Sequence, residues 1–279
     1  MRIIKFGTFI LSLMLVIASV AQTADELFEL GKKQMLCGNL KKASQLIEKS
    51  ANKGNVKAQG TLAIMYYNGQ GVRQNYKKSL KWFQKAADSG DDIAQYWLGR
   101  MYHQGLGVKQ DYKKSFEWFK TSAINDNADA QIFLARMYEM GLGVEQSYDE
   151  ALEWYNKAAS QGDNLAQGML GNMYEYGKGV EKDREKAIEW YLKSYYNGNR
   201  VAPMELGNLY YKDLDYSKAM EWYIKAANMG NAEAQYKIGV MYVNGIGVKS
   251  NYDEARKWLN KSAALGNAKA ARLLKDIQN

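Results

Sequence analysis

From about residue 24 onward, apolar and small side chains return three and four positions apart: Ala94, Leu98, Met101 and Tyr102 in one segment, Phe116, Phe119 and Ala123 in the next. Such stripes predict amphipathic helices, and no strand-like alternation interrupts them. The helices come in pairs, and the pairs recur. Met-Tyr or Leu-Tyr steps end at Tyr66, Tyr102, Tyr138, Tyr174, Tyr210 and Tyr242, while tryptophans stand at Trp82, Trp118, Trp154, Trp190, Trp222 and Trp258. Both series run at a spacing of 36 residues with one interval of 32. Between the anchors lies a glycine loop, Gly69-Gln70-Gly71-Val72, repeated at Gly105, Gly141, Gly177 and Gly245 and missing from residues 200–231.

A helix pair that hides its apolar face only against its neighbours is the unit of a stacked repeat array. The spacing divides the chain into seven such units, 24–55, 56–91, 92–127, 128–163, 164–199, 200–231 and 232–267, with 268–279 as a closing helix. In the first unit Leu46 takes the tryptophan position, which suits a terminal repeat with one unpacked face. Asp111, Asn251 and Asp215 are expected as N-caps of second helices, and Gly90, Gly162, Gly198, Gly230 and Gly266 as left-handed ends, with Asp126 in that role once. The expected fold is all-α.

Residues 1–21 read differently. Arg2 and Lys5 precede a largely apolar run from Phe6 to Val20, and Ser19-Val20-Ala21 offers small residues for signal-peptidase cleavage after Ala21. The run is shorter than the roughly 20 residues needed to cross a bilayer, so a cleaved signal is expected, with no stable membrane anchor afterwards and a periplasmic or secreted destination. The segment holds two of the 38 basic side chains and none of the 30 acidic ones, so cleavage takes the net charge from +8 to +6. That mild bias is spread along the chain; Lys77, Lys78, Lys81 and Lys85 are followed at once by Asp88, Asp91 and Asp92, which argues for a solvated face and against a nucleic-acid partner. Cys37 is the single cysteine and closes no internal disulfide; a packing role is expected for it.

Candidate chemistry is sparse. His103 is the only histidine, so neither a His-based catalytic arrangement nor a zinc site can be assembled, and no catalytic residue, metal or cofactor is expected. The Gly-x-Gly steps lack the preceding strand and third glycine of a nucleotide loop and read as turns. Tryptophan and tyrosine stripes read as packing between repeats, not ligand cages, and Asp88, Asp91 and Asp92 as helix caps, not an acid–base pair or calcium loop. Ser50-Ala51-Asn52-Lys53 matches the Ser-x-x-Lys of penicillin-recognising enzymes, without the accompanying Ser-Asp-Asn or Lys-Thr-Gly elements.

The run Leu98-Gly99-Arg100-Met101-Tyr102-His103-Gln104-Gly105-Leu106-Gly107-Val108, then Asp111-Tyr112-Lys113-Lys114, then Trp118, resembles the Sel-one-like repeat (SLR) signature, and the resemblance covers nearly the whole chain after residue 21. It implies a tetratricopeptide-like, right-handed α-solenoid of stacked antiparallel helix pairs whose first helices line a concave surface. It also implies an adaptor role in protein complexes, in exported bacterial members often tied to the envelope or to a host. Departures are the missing loop near Asp213, Arg184 where other units have Tyr, and Ser194-Tyr195 where others have small pairs.

Helical geometry places the residues that vary between units beside the packing stripe. They are Tyr96, Arg100, His103 and Gln104; Ile132, Arg136, Glu139 and Met140; Asn172, Glu175 and Tyr176; Met204, Asn208, Tyr211 and Lys212; and Tyr236, Val240 and Asn244. Tyr and Arg are frequent interface anchors, and the resemblance assigns Asn172 and Asn208 to peptide contact. The expected function is an exported scaffold that binds a protein or peptide in the groove. A peptidoglycan or other glycan ligand is the alternative, and a β-lactamase-like hydrolase a third class.

Overall fold

A computed structural model describes residues 22–277, so the expected export signal lies outside the described residues. The chain forms two compact units. The first comprises residues 22–130 with Leu142–Val144, and holds α1 (Ala24–Leu36), α2 (Leu40–Asn52), α3 (Val56–Asn68), α4 (Tyr76–Asp88), α5 (Asp92–Gln104) and α6 (Tyr112–Ile124). Helix α7 (Ala128–Met140) begins there, and most of it belongs to the second unit, Gln131–Gly141 with 145–277. That unit continues through α8 (Tyr148–Ser160), α9 (Asn164–Tyr176), α10 (Arg184–Tyr196), α11 (Ala202–Lys212), α12 (Tyr216–Asn228), α13 (Ala232–Asn244), α14 (Tyr252–Ala264) and α15 (Ala268–Asp276). Within each unit consecutive helices pack as antiparallel pairs, and the described residues contain no strand.

The helices start where short polar side chains supply an acceptor to orphan N–H groups. Asp111, Asp215 and Asn251 do so for second helices, and Asn55, Asp91 and Asn231 for first helices. First helices that lead into the glycine loop are capped by a left-handed glycine, as at Gly69 and Gly105, whereas second helices have an ordinary cap residue followed by one, as Ser89 is by Gly90. Asp126 takes that role at φ 62°, as its sequence position suggests, and Leu214 does so unexpectedly at φ 61° where the other short repeat has Gly38.

Two close approaches hold the layers together. Inside a repeat, a Cβ on Gly99 would stand 2.6 Å from the Phe119 ring, so the second helix lies directly on the first. Between repeats, Gly107 combines φ +73° with a position where a Cβ would stand 2.5 Å from the carbonyl carbon of Tyr76, at the start of α4. The loop is therefore glycine for two reasons, conformation and contact. Phe28, Ile47, Leu62, Met65, Phe83, Leu98 and Met101 fill the core of the first unit; Tyr191, Leu206, Leu209, Tyr223, Ile238 and Leu259 are prominent in the second. Trp82, Trp154 and Trp222 are buried, each with a lysine three residues on, Lys85, Lys157 and Lys225, 3.9–4.3 Å from the ring centroid. These three tryptophans thus pack, with their outer faces closed by a cation, while Trp118, Trp190 and Trp258 are half-buried.

Where the glycine loop is missing, Arg184 pairs with Asp213 and stacks 5.4 Å from the Tyr210 ring, which explains its replacement of tyrosine. Tyr195 meets Trp222 edge-on. Cys37 departs from expectation: it is the C-cap that closes α1, and it is exposed.

Gly90 has a left-handed backbone but open space around it. Gly90→Ala should therefore cost about 1–2 kcal/mol, the left-handed penalty alone. Gly107→Ala adds displacement of the Tyr76 backbone and should lower the urea midpoint further; equal shifts would show that the contact is not limiting.

Candidate functional site

In the first unit Tyr96 and Arg100 of α5 join a half-buried aromatic cluster. The Tyr96 ring lies 5.9 Å from both Trp97 and Phe119, and the Arg100 guanidinium lies 4.7 Å over Trp97. Burial pushes the Tyr96 phenol up. His103 meets Tyr112 edge-on, and Gln104 is exposed.

In the second unit the predicted residues separate into two kinds. Glu139 and Glu175 face inward. The Glu139 carboxylate accepts from the Tyr155 hydroxyl at 2.9 Å and from the Lys178 ammonium at 2.7 Å. Glu175, only 6% exposed, accepts from Tyr191 at 2.8 Å and from Lys212 at 2.5 Å. The geometry follows from the packing: the Tyr191 ring lies over Gly171 of the first helix and its hydroxyl reaches Glu175 one turn further on, and Tyr155 and Glu139 hold the same positions one repeat earlier. Asn208 plays the same part more weakly, accepting from Tyr223 at 3.0 Å and donating to Glu205 at 3.3 Å. These three side chains are spoken for, which removes Glu175 in particular from any surface a partner could touch. Ile132 and Met204 are also buried and leave the stripe.

Arg136, Asn172 and Tyr176 remain open. Arg136 is exposed and carries no ion pair among the described residues; Asn172 is half-buried with an unengaged amide; Tyr176 is 56% exposed beneath the Lys212 ammonium. Tyr211 packs against Tyr216 and Tyr223, and Tyr236 lies under Lys269 beside the core of the last helix pair. A cleft of about 160 Å³ opens between α9 and α11, with Asn172 and Glu205 among its walls and Tyr191 beneath. Sequence reasoning missed the buried networks and the cleft. The legible signal for the networks is that Phe83 and Phe119 become Tyr155, Tyr191 and Tyr223 where the first helix supplies Glu139, Glu175 and Asn208.

The residues weighed for catalysis have structural employment. Ser50 is buried and donates to the Ala24 carbonyl at 2.5 Å, while Lys53 donates to the Gln22 carbonyl. Ser122, Ser194 and Ser262 make the same bond to Asp92, Asn164 and Ala232, so Ser50 is one of a repeated set of staples between helices. Asp91 caps α5, burial raising its carboxyl against the opposing hydrogen bond from Ala94, and Asp92 holds the Asn127 amide.

The Sel1 repeat model matches residues 56–91, 92–127, 128–163, 164–199, 202–231 and 232–267. A protective antigen of uropathogenic Escherichia coli strains that displays an SLR fold is 35% identical over 91% of this chain, with a TM-score of 0.79; the chain spans 56% of that protein's length. A Sel1 repeat protein from Oxalobacter formigenes is 33% identical, the match covering 85% of this chain and 99% of that one at a TM-score of 0.74. The C-terminal part of a TPR repeat-containing protein from Cytophaga hutchinsonii shares the fold at 16% identity and a TM-score of 0.55, over 88% of this chain and 98% of that one. No curated protein matches.

Burial and the neighbouring glutamates push the Tyr155 and Tyr191 phenols well above their ordinary value of 10.0, and the Glu139 and Glu175 hydrogen bonds raise Lys178 and Lys212. A folded value above the unfolded one gives stability that is complete below the unfolded value and lost as pH rises toward the folded one. The native chain should therefore lose more stability between about pH 8 and pH 11 than a Tyr155→Phe/Tyr191→Phe variant, read by urea midpoints. Parallel losses would show that these phenols do not resist ionisation.

Proposed function

The chain belongs to the Sel1 repeat family, whose members are generally non-enzymatic protein–protein interaction scaffolds, and from that premise we propose an exported adaptor that binds a protein or peptide on the first-helix face of its repeats. The observation that carries the reading is the division of labour along the first helices of the second unit. Positions that recur throughout pack or staple, whereas Arg136 and Asn172 share a position that is Ile, Arg, Asn or Val among the repeats from residue 56 onward, and Tyr176 one that is Asn, Gln, Met, Tyr or Lys; these three side chains are accessible and combine a cation, an amide and an aromatic ring. This mixture suits a protein surface better than a small substrate.

Export rests on the basic start, apolar run and small-residue site of residues 1–21. The resemblance to an antigen of uropathogenic strains supports that reading and a role in the envelope or toward a host. One experiment addresses both parts: the full-length chain, tagged at its C-terminus and expressed in a bacterium, is cross-linked and recovered beside an Arg136→Glu/Asn172→Ala/Tyr176→Ala variant. The expected result is a mature N-terminus at Gln22 and a protein retained by the native chain and lost by the variant. An intact N-terminus contradicts export, and identical captured sets contradict the first-helix face.

A further inference from the structure

The cleft between α9 and α11 has the size of one side chain. At about 160 Å³ it is comparable with the engineered apolar cavity of about 150 Å³ that accepts benzene, and well below the roughly 300–1,000 Å³ of small-molecule and cofactor sites. Two features of the sequence create it. Gly168 stands where four other repeats place Tyr96, Ile132, Met204 and Tyr236 and only repeat 56–91 also has glycine, Gly60; a Cβ on Gly168 would reach within 3.0 Å of the Asn199 amide. Helix α11 also starts late: its N-cap is Val201, which makes no side-chain cap, and Pro203 follows in the first turn. A glycine inside a helix is destabilising, so the opening is maintained against local preference.

The rim is apolar and uncovered, with Leu165 52% and Val201 55% exposed and Met169 beside them. Its polar groups are unevenly satisfied. Asn172 makes no side-chain hydrogen bond among the described residues, and its amide, on the cleft wall, offers one donor group and one acceptor, the complement of an extended chain's C=O and N–H. Glu205 takes only the Asn208 amide and has no cationic partner among the described residues, unlike Glu139 and Glu175. Nearby cations are engaged elsewhere: Lys212 with Glu175, Arg200 with the Met229 carbonyl, Lys237 over the rings of Tyr211 and Tyr223.

We propose that this cleft seats one Leu-, Ile- or Met-sized side chain of an extended peptide, that Asn172 pairs with the peptide backbone beside it, and that Glu205 takes an adjacent Lys or Arg. The inference rests on the protein-binding reading above and names the chemistry of the partner: an apolar residue next to a basic one. Charge complementarity decides the order of preference, because an acidic neighbour would place two carboxylates together without a counter-ion.

The test selects a displayed library of short random linear peptides on the immobilised full-length chain, then titrates fluorescein-labelled synthetic winners against the chain and two variants. Enrichment of apolar–basic pairs is expected. Gly168→Met fills the cleft and should weaken binding about tenfold or more, and Glu205→Lys should weaken basic peptides by about tenfold while favouring analogues with Glu at the basic position. Unchanged helical circular dichroism identifies variants that fold; Glu205 is half-exposed, so its variant keeps the test decisive if Gly168→Met does not fold. A consensus without the apolar–basic pair, or affinities indifferent to both variants, overturns the inference. Binders that survive both changes but are lost with Arg136→Glu/Tyr176→Ala leave the first-helix reading standing and this one refuted; a library with no binder refutes both.

Discussion

Contact between the two helices of a repeat, made by laying a bulky second-helix side chain on a residue with little or no side chain, is the constraint from which the rest follows. Phe119 over Gly99, Tyr191 over Gly171 and Tyr223 over Gly207 bring ring carbons to within 2.5–2.6 Å of where a Cβ would be. Packing this close leaves the first helix only one stripe for its neighbours and one for solvent. It also brings the loop between the two helices of a repeat against the repeat before it, so that the loop's second glycine touches the preceding second helix, as Gly107 touches Tyr76. Glycines in this chain are therefore contact residues as much as turn residues.

That same ring position determines how polar groups are handled. A phenylalanine there asks nothing of its surroundings, whereas a tyrosine brings a hydroxyl that must find an acceptor once buried. Glu139 and Glu175 supply it one turn further along the first helix, and Lys178 and Lys212 neutralise them from a later segment of the chain. A hydrogen bond to a charged group contributes about 1.5–3 kcal/mol net, so these networks matter to stability. They also subtract two carboxylates from the surface, which leaves the accessible first-helix side chains of the second unit more basic and amide-rich than the bare residue pattern suggests.

The helix pairs, their caps and their repeat spacing were legible in the residues, because periodicity states the packing unit directly: Asp111 and Asp215 cap, Gly90 and Asp126 adopt left-handed backbones, and Trp82, Trp154 and Trp222 are buried. Other details were not. Glu175 reads as a groove residue from helical spacing alone, and only the approach of Tyr191 and Lys212 turns it inward. Ser50 reads as half of a Ser-x-x-Lys pair until its counterparts Ser122, Ser194 and Ser262 are seen making the same staple. Leu214 carries no sequence signal for a left-handed backbone; the shortened repeat forces it. Cys37 reads as packing because its helix is apolar, yet it stands at the C-cap of that helix and is exposed.

The central claim is that recurring positions hold the fold while the varying, accessible positions are free for a partner. Its most direct measurement is the urea midpoint of the chain with Arg136, Asn172 and Tyr176 all changed to alanine. Surface substitutions of this kind stay within about 0.5 kcal/mol each, so a midpoint close to the native one is predicted. A fall of several kcal/mol would show that these side chains belong to the packing and would contradict the account.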